Sequence, residues 1–389
     1  MSFYSYLKHS TIFSLICVFL ILGFPRIYGT EFPLAILIMP FFCKEILKFV
    51  NSNLNIVFVY CVISFFWFVC SFAVWFFSPD SSISDCLFFI VLFVKVQLAF
   101  IFGLIFFEVV RDRLYLIYIW SAIQMIIIVG SFMDFNLYSF LLGFISPRSA
   151  DVFSEVFGLR TIGFGLFHIE GALIFVTSIF VVLALTRYNF VARFYLLISF
   201  VISMTVARSS IIPFILHSVF SRDIASKIYL AIIFIVLIFL SQFIDSGPLY
   251  EAFEIFRNIA SDSSVSTRST SAVIDMVILP THLDTYIYGD GRFYSDSGLF
   301  YMGTDIGYLR ILFFSGIIGV SFFVVVNLFF LFASFFKVEA EPWLGLRKMA
   351  FVFVLVFLIM NTKGIFTALI FSSFIFRATI EGVKCRVER

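Results

Sequence analysis

The chain has 389 residues, of which 62% are hydrophobic and 13% charged, and its net charge is +2. Soluble domains average about 45–50% apolar and about 25% charged residues, so this composition excludes a water-soluble globular fold. It suits a bilayer, where Phe, Leu and Ile on lipid-facing helix sides carry no solvation penalty, and the mean hydropathy of +1.11 agrees.

The first apolar run, Thr11 to Phe24, follows Lys8 and has no small-residue cleavage site, so we read it as a retained span and not a signal peptide. A helix needs about 20 apolar residues to cross the hydrocarbon. On that basis the sequence predicts spans near 11–25, 32–43, 54–77, 86–110, 114–132, 166–186, 191–206, 209–220, 228–244, 306–336, 349–361 and 364–376. The second and eighth are short enough to be tilted half-helices, and the tenth is long enough to project beyond the membrane. A single helix over 191–220 would be about 45 Å long and would hold Arg208 inside it. A break at Ala207-Arg208-Ser209-Ser210 is therefore expected, giving two short helices or a re-entrant pair.

With the N-terminus inside, sixteen Lys and Arg residues fall on the cytoplasmic side and nine on the outer side, with Lys95 within a span. This bias predicts a multi-pass protein with both termini cytoplasmic. The fold class expected is all-α, a single polytopic membrane domain over 1–389 with about twelve transmembrane helices. Two long loops, about 133–165 and 245–305, would face outward. Long loops beside a compact bundle are more often functional than passive. The six cysteines lie in or near apolar runs or in the basic tail, so no disulfide framework is expected.

Eight of the nine outward basic residues are Arg. A guanidinium fork matches phosphate oxygens and stays charged when half-buried, although Arg also snorkels well at interfaces. Arg160, Arg208, Arg268, Arg292 and Arg310 are the candidate substrate-binding cations, with Asp290 and Asp296 beside them. Asp290 stands between Gly289 and Gly291, a pattern expected of a tight turn with positive φ. Asp305, at the mouth of the tenth span, is a candidate general base or a helix N-cap. His282 is a second candidate base or a solvated loop histidine. Arg310, five residues on from Asp305, would lie about 140° around a helix and so off the face of Asp305. Lys95, Glu108, His168 and Glu170 are expected to be structural partners within the bundle. The sequence has no P-loop, no HExxH, no GxSxG and no Cys/His metal spacing. We therefore expect no metal, no cofactor, no ATP-driven step and no nucleic-acid partner. No cytoplasmic loop is large enough to fold a nucleotide-sugar domain, so any donor must already be carried in the membrane lipid.

Several of these segments carry a family resemblance. They are Arg160-Thr-Ile-Gly163-Phe-Gly, Ala207-Arg208-Ser-Ser, Gly289-Asp-Gly291, Asp305-Ile-Gly307-Tyr-Leu-Arg310 and Gly316-Ile-Ile-Gly319. With about twelve spans and two Arg-bearing outer loops, the chain resembles the Wzy-type O-antigen polymerases, within the wider O-antigen ligase and polymerase group. The resemblance implies a GT-C-like fold in a bacterial inner membrane and a metal-independent glycosyl transfer on the periplasmic face. Donor and acceptor would be polyprenyl-diphosphate-linked glycans, with a chain-length regulator as a further partner. It implies diphosphate or glycan binding for the candidate arginines and the base role for Asp305 or His282. Related ligases tend to have His-Asn where Asp305 stands, a departure that favours polymerase over ligase. The rival readings are a lipid-linked oligosaccharide flippase or another transporter, and an O-antigen ligase.

Overall fold

The computed structural model describes residues 10–30, 32–186, 190–220, 223–247, 250, 253–254, 257–258, 268–336, 344–367 and 377. Among them the helices are α1 (Thr11–Leu22), α2 (Cys43–Ser52), α3 (Leu54–Phe77), α4 (Ile83–Val110), α5 (Tyr115–Met133), α6 (Phe135–Leu142), α7 (Pro147–Ser154), α8 (His168–Thr186), α9 (Phe190–Val206), α10 (Ile211–Phe220), α11 (Ile224–Ser241), α12 (Arg268–Asp275), α13 (Leu283–Ile287), α14 (Gly307–Phe336) and α15 (Leu344–Met360). Among the described residues α3, α4, α5, α11 and the Gly307–Phe329 part of α14 are each long and apolar enough to cross a membrane. The protein is a membrane-embedded helix bundle.

Its helices are patterned for lipid. In α3 the buried positions Val57, Tyr60, Ser64, Trp67 and Ser71 recur at helical spacing, while Phe58, Phe65, Phe66 and Phe76 face outward. Small hydroxyl residues inward and Phe outward invert the soluble pattern, because the outer solvent is itself apolar. Trp67 seats this face among Phe89, Phe93 and Phe323 of α4 and α14.

Four expectations need correction. The second predicted span is a 3-10 helix over Leu34–Phe42 that runs directly into α2. Pro40, within it, has no N–H to donate, and α2 exposes Lys44, Lys48 and Asn51, so the segment is not one apolar α-helix. The tenth span is not one straight helix. Ser315 and Gly316 leave helical geometry, Gly316 at φ 65° and ψ −170°. The twelfth predicted span opens on non-helical residues 361–367, and its remainder lies outside the described residues. Glu108 reaches Arg111 at 3.9 Å instead of Lys95. The side chains of His168 and Glu170 lie outside the described residues. The expected break at 207–210 is present: α9 stops at Val206, Arg208–Ser210 forms a 3-10 turn and α10 follows.

The break in α14 has a physical cause. It frees carbonyls that a continuous helix would use, and the loop at 289–291 takes them. The Asp290 amide donates to the Phe313 carbonyl at 2.5 Å and the Gly291 amide to Phe314 at 3.1 Å. Irregular backbone at such a place survives only where protein satisfies its polar groups.

Candidate functional site

The candidate residues fall into two groups joined by one stretch of backbone.

The first group is cationic. The segment 160–166 is pinned to the bundle through polar side chains of the helices. The Thr161 amide donates to the Thr205 carbonyl at 3.0 Å, and the two threonine hydroxyls meet at 2.7 Å. The Ile162 amide donates to Ser131 Oγ at 3.2 Å, and buried Gln124 both accepts from the Phe164 amide and donates to its carbonyl. These bonds hold Arg160 beside the turn that carries Arg208. Arg208 Nη1 pairs with Glu254 at 2.8 Å. The loop after α15 adds Lys363, which sequence reasoning had counted only as an outward charge. Burial lowers the pKa of its ammonium, and the charges of Arg208 and then Arg160 lower it further. The three cations therefore share one electrostatic neighbourhood. Arg160 also reaches Tyr138, whose hydroxyl burial pushes up to about 12 while the Arg160 charge pulls the other way.

The second group lines a cavity of about 790 Å³ between the end of α3, the loop 280–292 and the break in α14. His282, Asp290 and Arg292 all border it, joined by Asp80 and Tyr301, neither of which the sequence singled out. The turn at 289–291 has the positive φ expected of it, 84° at Gly289 and 71° at Gly291. Thr285 Oγ1 donates to Asp290 Oδ1 at 2.7 Å and Ser78 Oγ to the Asp290 carbonyl at 2.5 Å. Arg292 pairs with Asp296 and lies over the Tyr301 ring, 5.1 Å from its centre.

Asp305 lies between the groups. Residues 301–305 run from the cavity wall to the start of α14, where a Cβ on Gly307 would overlap the Gly364 carbonyl, next to Lys363. The expected separation of Asp305 and Arg310 is wrong: Arg310 Nη1 pairs with Asp305 Oδ1 at 3.2 Å. The helical arithmetic does not apply because α14 begins only at Gly307. Arg310 is itself buried, its guanidinium 4.2 Å from the centre of the Phe300 ring and 5.0 Å from that of Phe88. Such a cation positions the acid and the surrounding loop. Arg268 opens α12, but its side chain lies outside the described residues.

A buried carboxylate holds the loop at residues 293–294, and sequence reasoning missed it. Asp85 Oδ1 accepts the Phe293 amide at 2.7 Å and the Tyr294 amide at 2.9 Å, and Oδ2 accepts the Ser82 amide at 3.0 Å. Ser82 three residues before Asp85 is a capping-box pattern, and that signal was available in the sequence.

Searched against protein-family profiles, curated proteins and solved structures, the chain matches none of them.

Proposed function

We propose that the chain is a membrane glycosyltransferase of the O-antigen polymerase kind. It would join polyprenyl-diphosphate-linked oligosaccharide repeat units on the periplasmic face of a bacterial inner membrane, in a GT-C-like fold of about twelve spans with both termini cytoplasmic. The observation that carries this reading is the approach of three cation-bearing loops: Thr161 bonds Thr205 beside the Arg208 turn, and the charges of Arg208 and Arg160 both act on Lys363, with Glu254 paired to Arg208. Three cations against one carboxylate leave a net positive charge suited to a polyanion such as a diphosphate.

In the reaction, an acceptor hydroxyl attacks the anomeric carbon of the donor sugar. The bond from that carbon to the diphosphate oxygen breaks, and the electron pair leaves with the diphosphate. The three cations offset the developing charge, which is the largest demand on the site. Asp305 takes the hydroxyl proton; its carboxylate is part-exposed and steadied by Arg310. His282 is the other candidate for that proton.

The test is the glycan made by a strain lacking the chain. Lipid cores capped with a single repeat unit support a polymerase. Cores with no cap would point to a ligase, and the loss of outward repeat units to a flippase. Reporter fusions at Ser263 and Lys384 should report opposite sides of the membrane, and a cytoplasmic signal at Ser263 would overturn the orientation.

A further inference from the structure

The two groups differ in the sign of their charge. Among the described residues the cavity between α3 and the broken α14 is bordered by two carboxylates, Asp80 and Asp290, against the single guanidinium of Arg292, which pairs with a further carboxylate, Asp296. A cavity with that balance repels a diphosphate, which belongs with Arg160, Arg208 and Lys363. What it can take is an uncharged ligand rich in hydroxyl groups. Carboxylates accept hydroxyl hydrogen bonds strongly, and aromatic faces pack against apolar C–H surfaces. Tyr288, 58% exposed, supplies such a face on the cavity wall. The volume of about 790 Å³ falls within the range of about 300–1,000 Å³ typical of ligand sites. The walls are also built for the purpose. The loop backbone is locked to α14 by the Asp290 and Gly291 amides, and the buried Nε–H of Arg292 has no acceptor among the described residues. Met302, at the rim, is held at φ 54°, a conformation non-glycine residues seldom adopt.

We infer that this cavity is a glycan-binding subsite that receives the non-reducing, phosphate-free end of the acceptor chain, separate from the cationic site that receives the diphosphate. The inference rests on the polymerase reading for the identity of the glycan. It divides the work of the two sites by charge. The acceptor hydroxyl arrives from the cavity side, the anomeric carbon and its diphosphate lie on the Lys363 side, and Asp305 stands on the backbone that joins them.

The test uses the full chain in lipid nanodiscs, with Cys43→Ser, Cys61→Ser, Cys70→Ser and Cys385→Ser so that labelling reads the introduced thiol; Cys70 itself lines the cavity. A Thr281→Cys substitution then places a reporter thiol on the exposed rim. Two probes are added during maleimide labelling: the repeat-unit oligosaccharide freed from its polyprenyl diphosphate by mild acid, and inorganic pyrophosphate. The oligosaccharide should slow labelling of the introduced thiol, and pyrophosphate should not. Asp80→Asn, at an exposed position, should raise the oligosaccharide concentration needed for half-protection about tenfold, the scale expected for a lost charge-assisted hydrogen bond. Protection by pyrophosphate, no protection by the oligosaccharide, or an Asp80→Asn variant indistinguishable from the parent would each overturn the subsite. The deletion strain separates the two claims. A lost ladder with no protection removes the subsite and leaves the polymerase, whereas protection with an unchanged ladder does the reverse.

Discussion

Gly289 and Gly316 meet backbone to backbone. A Cβ on Gly289 would stand 2.6 Å from the Ser315 amide nitrogen, and one on Gly316 would overlap the Ile287 carbonyl. Neither neighbour is a flexible side chain that can swing away. Gly316 also holds a φ and ψ combination that only glycine adopts readily. We expect Gly316→Ala to cost at least about 3 kcal/mol and to lower the amount of folded protein sharply. Gly298→Ala is the control: it has a positive φ but open space around its Cβ position, so a loss of only about 1 kcal/mol is expected. Thermal melting in detergent compares the two, and equal losses would show that the packing at Gly316 does not matter.

Asp305 and Arg310 should behave as one unit. Asp305→Asn and Arg310→Lys should each shorten the glycan ladder at normal protein level. The double variant should be little worse than the weaker single, since paired residues are not additive. Losses that multiply would mean the two side chains act separately. A full ladder from Asp305→Asn alone would remove Asp305 as the base and move that role to His282.

At the cationic site, pH should act through Lys363. Burial and the two arginines disfavour its charged form, so it gives up its proton at a lower pH than an ordinary lysine. Binding of pyrophosphate should therefore weaken as pH rises through that lowered value, while the arginines stay charged. In Lys363→Met the step should vanish and affinity at lower pH should fall. The sign for stability is opposite to that of an ion-paired lysine. The unfolded chain holds the proton more tightly, so this group costs stability at low pH, and the cost is relieved as pH rises from the lowered value towards the ordinary lysine range. Titrating binding of labelled pyrophosphate against pH checks this, and an unshifted step in Lys363→Met would refute it. Arg208→Lys should restore only part of the activity lost in Arg208→Ala, because a point charge lacks the bidentate fork.

Asp85, in the first turn of α4, should prove as sensitive as any residue of the loop it holds. Asp85→Ala leaves the Phe293 and Tyr294 amides without their acceptor, at a cost on the order of 3 kcal/mol or more. Asp85→Asn keeps one carbonyl oxygen for them and should lose less. Protease sensitivity of the loop in intact membranes would separate the two, and equal resistance in Asp85→Ala would mean the latch is unnecessary.

Much of the bundle was legible because bilayer solvation acts residue by residue. The run 54–77 carries no charge and matches α3 at both ends, and Arg208 marked the break before α10 because a cation cannot sit cheaply inside a span. What could not be read depends on partners distant in sequence. The 315–316 break falls at a Ser-Gly pair, a turn signal that the long apolar run around it masked, and its contact with the 287–291 turn holds the break in place. The pairing of Asp305 with Arg310 depends on where α14 begins, which hydropathy does not define. Gathering His282, Asp290 and Arg292 on one cavity, with Asp80 from a loop some two hundred residues earlier, required the fold itself.

The Asp85 latch also sets an order of assembly. Its carboxylate leaves the ribosome 208 residues ahead of the Phe293 amide that it will hold. At about 5–20 residues per second the wait is roughly 10–40 seconds. Through that interval α4 is made but its acidic N-terminus has no loop to hold, and the cavity has only its α3 wall. The cavity is thus finished late in synthesis, by a segment that docks onto helices already made. A ribosome that stops before residue 293 releases a chain with most of its apolar helices and none of its completed binding surface.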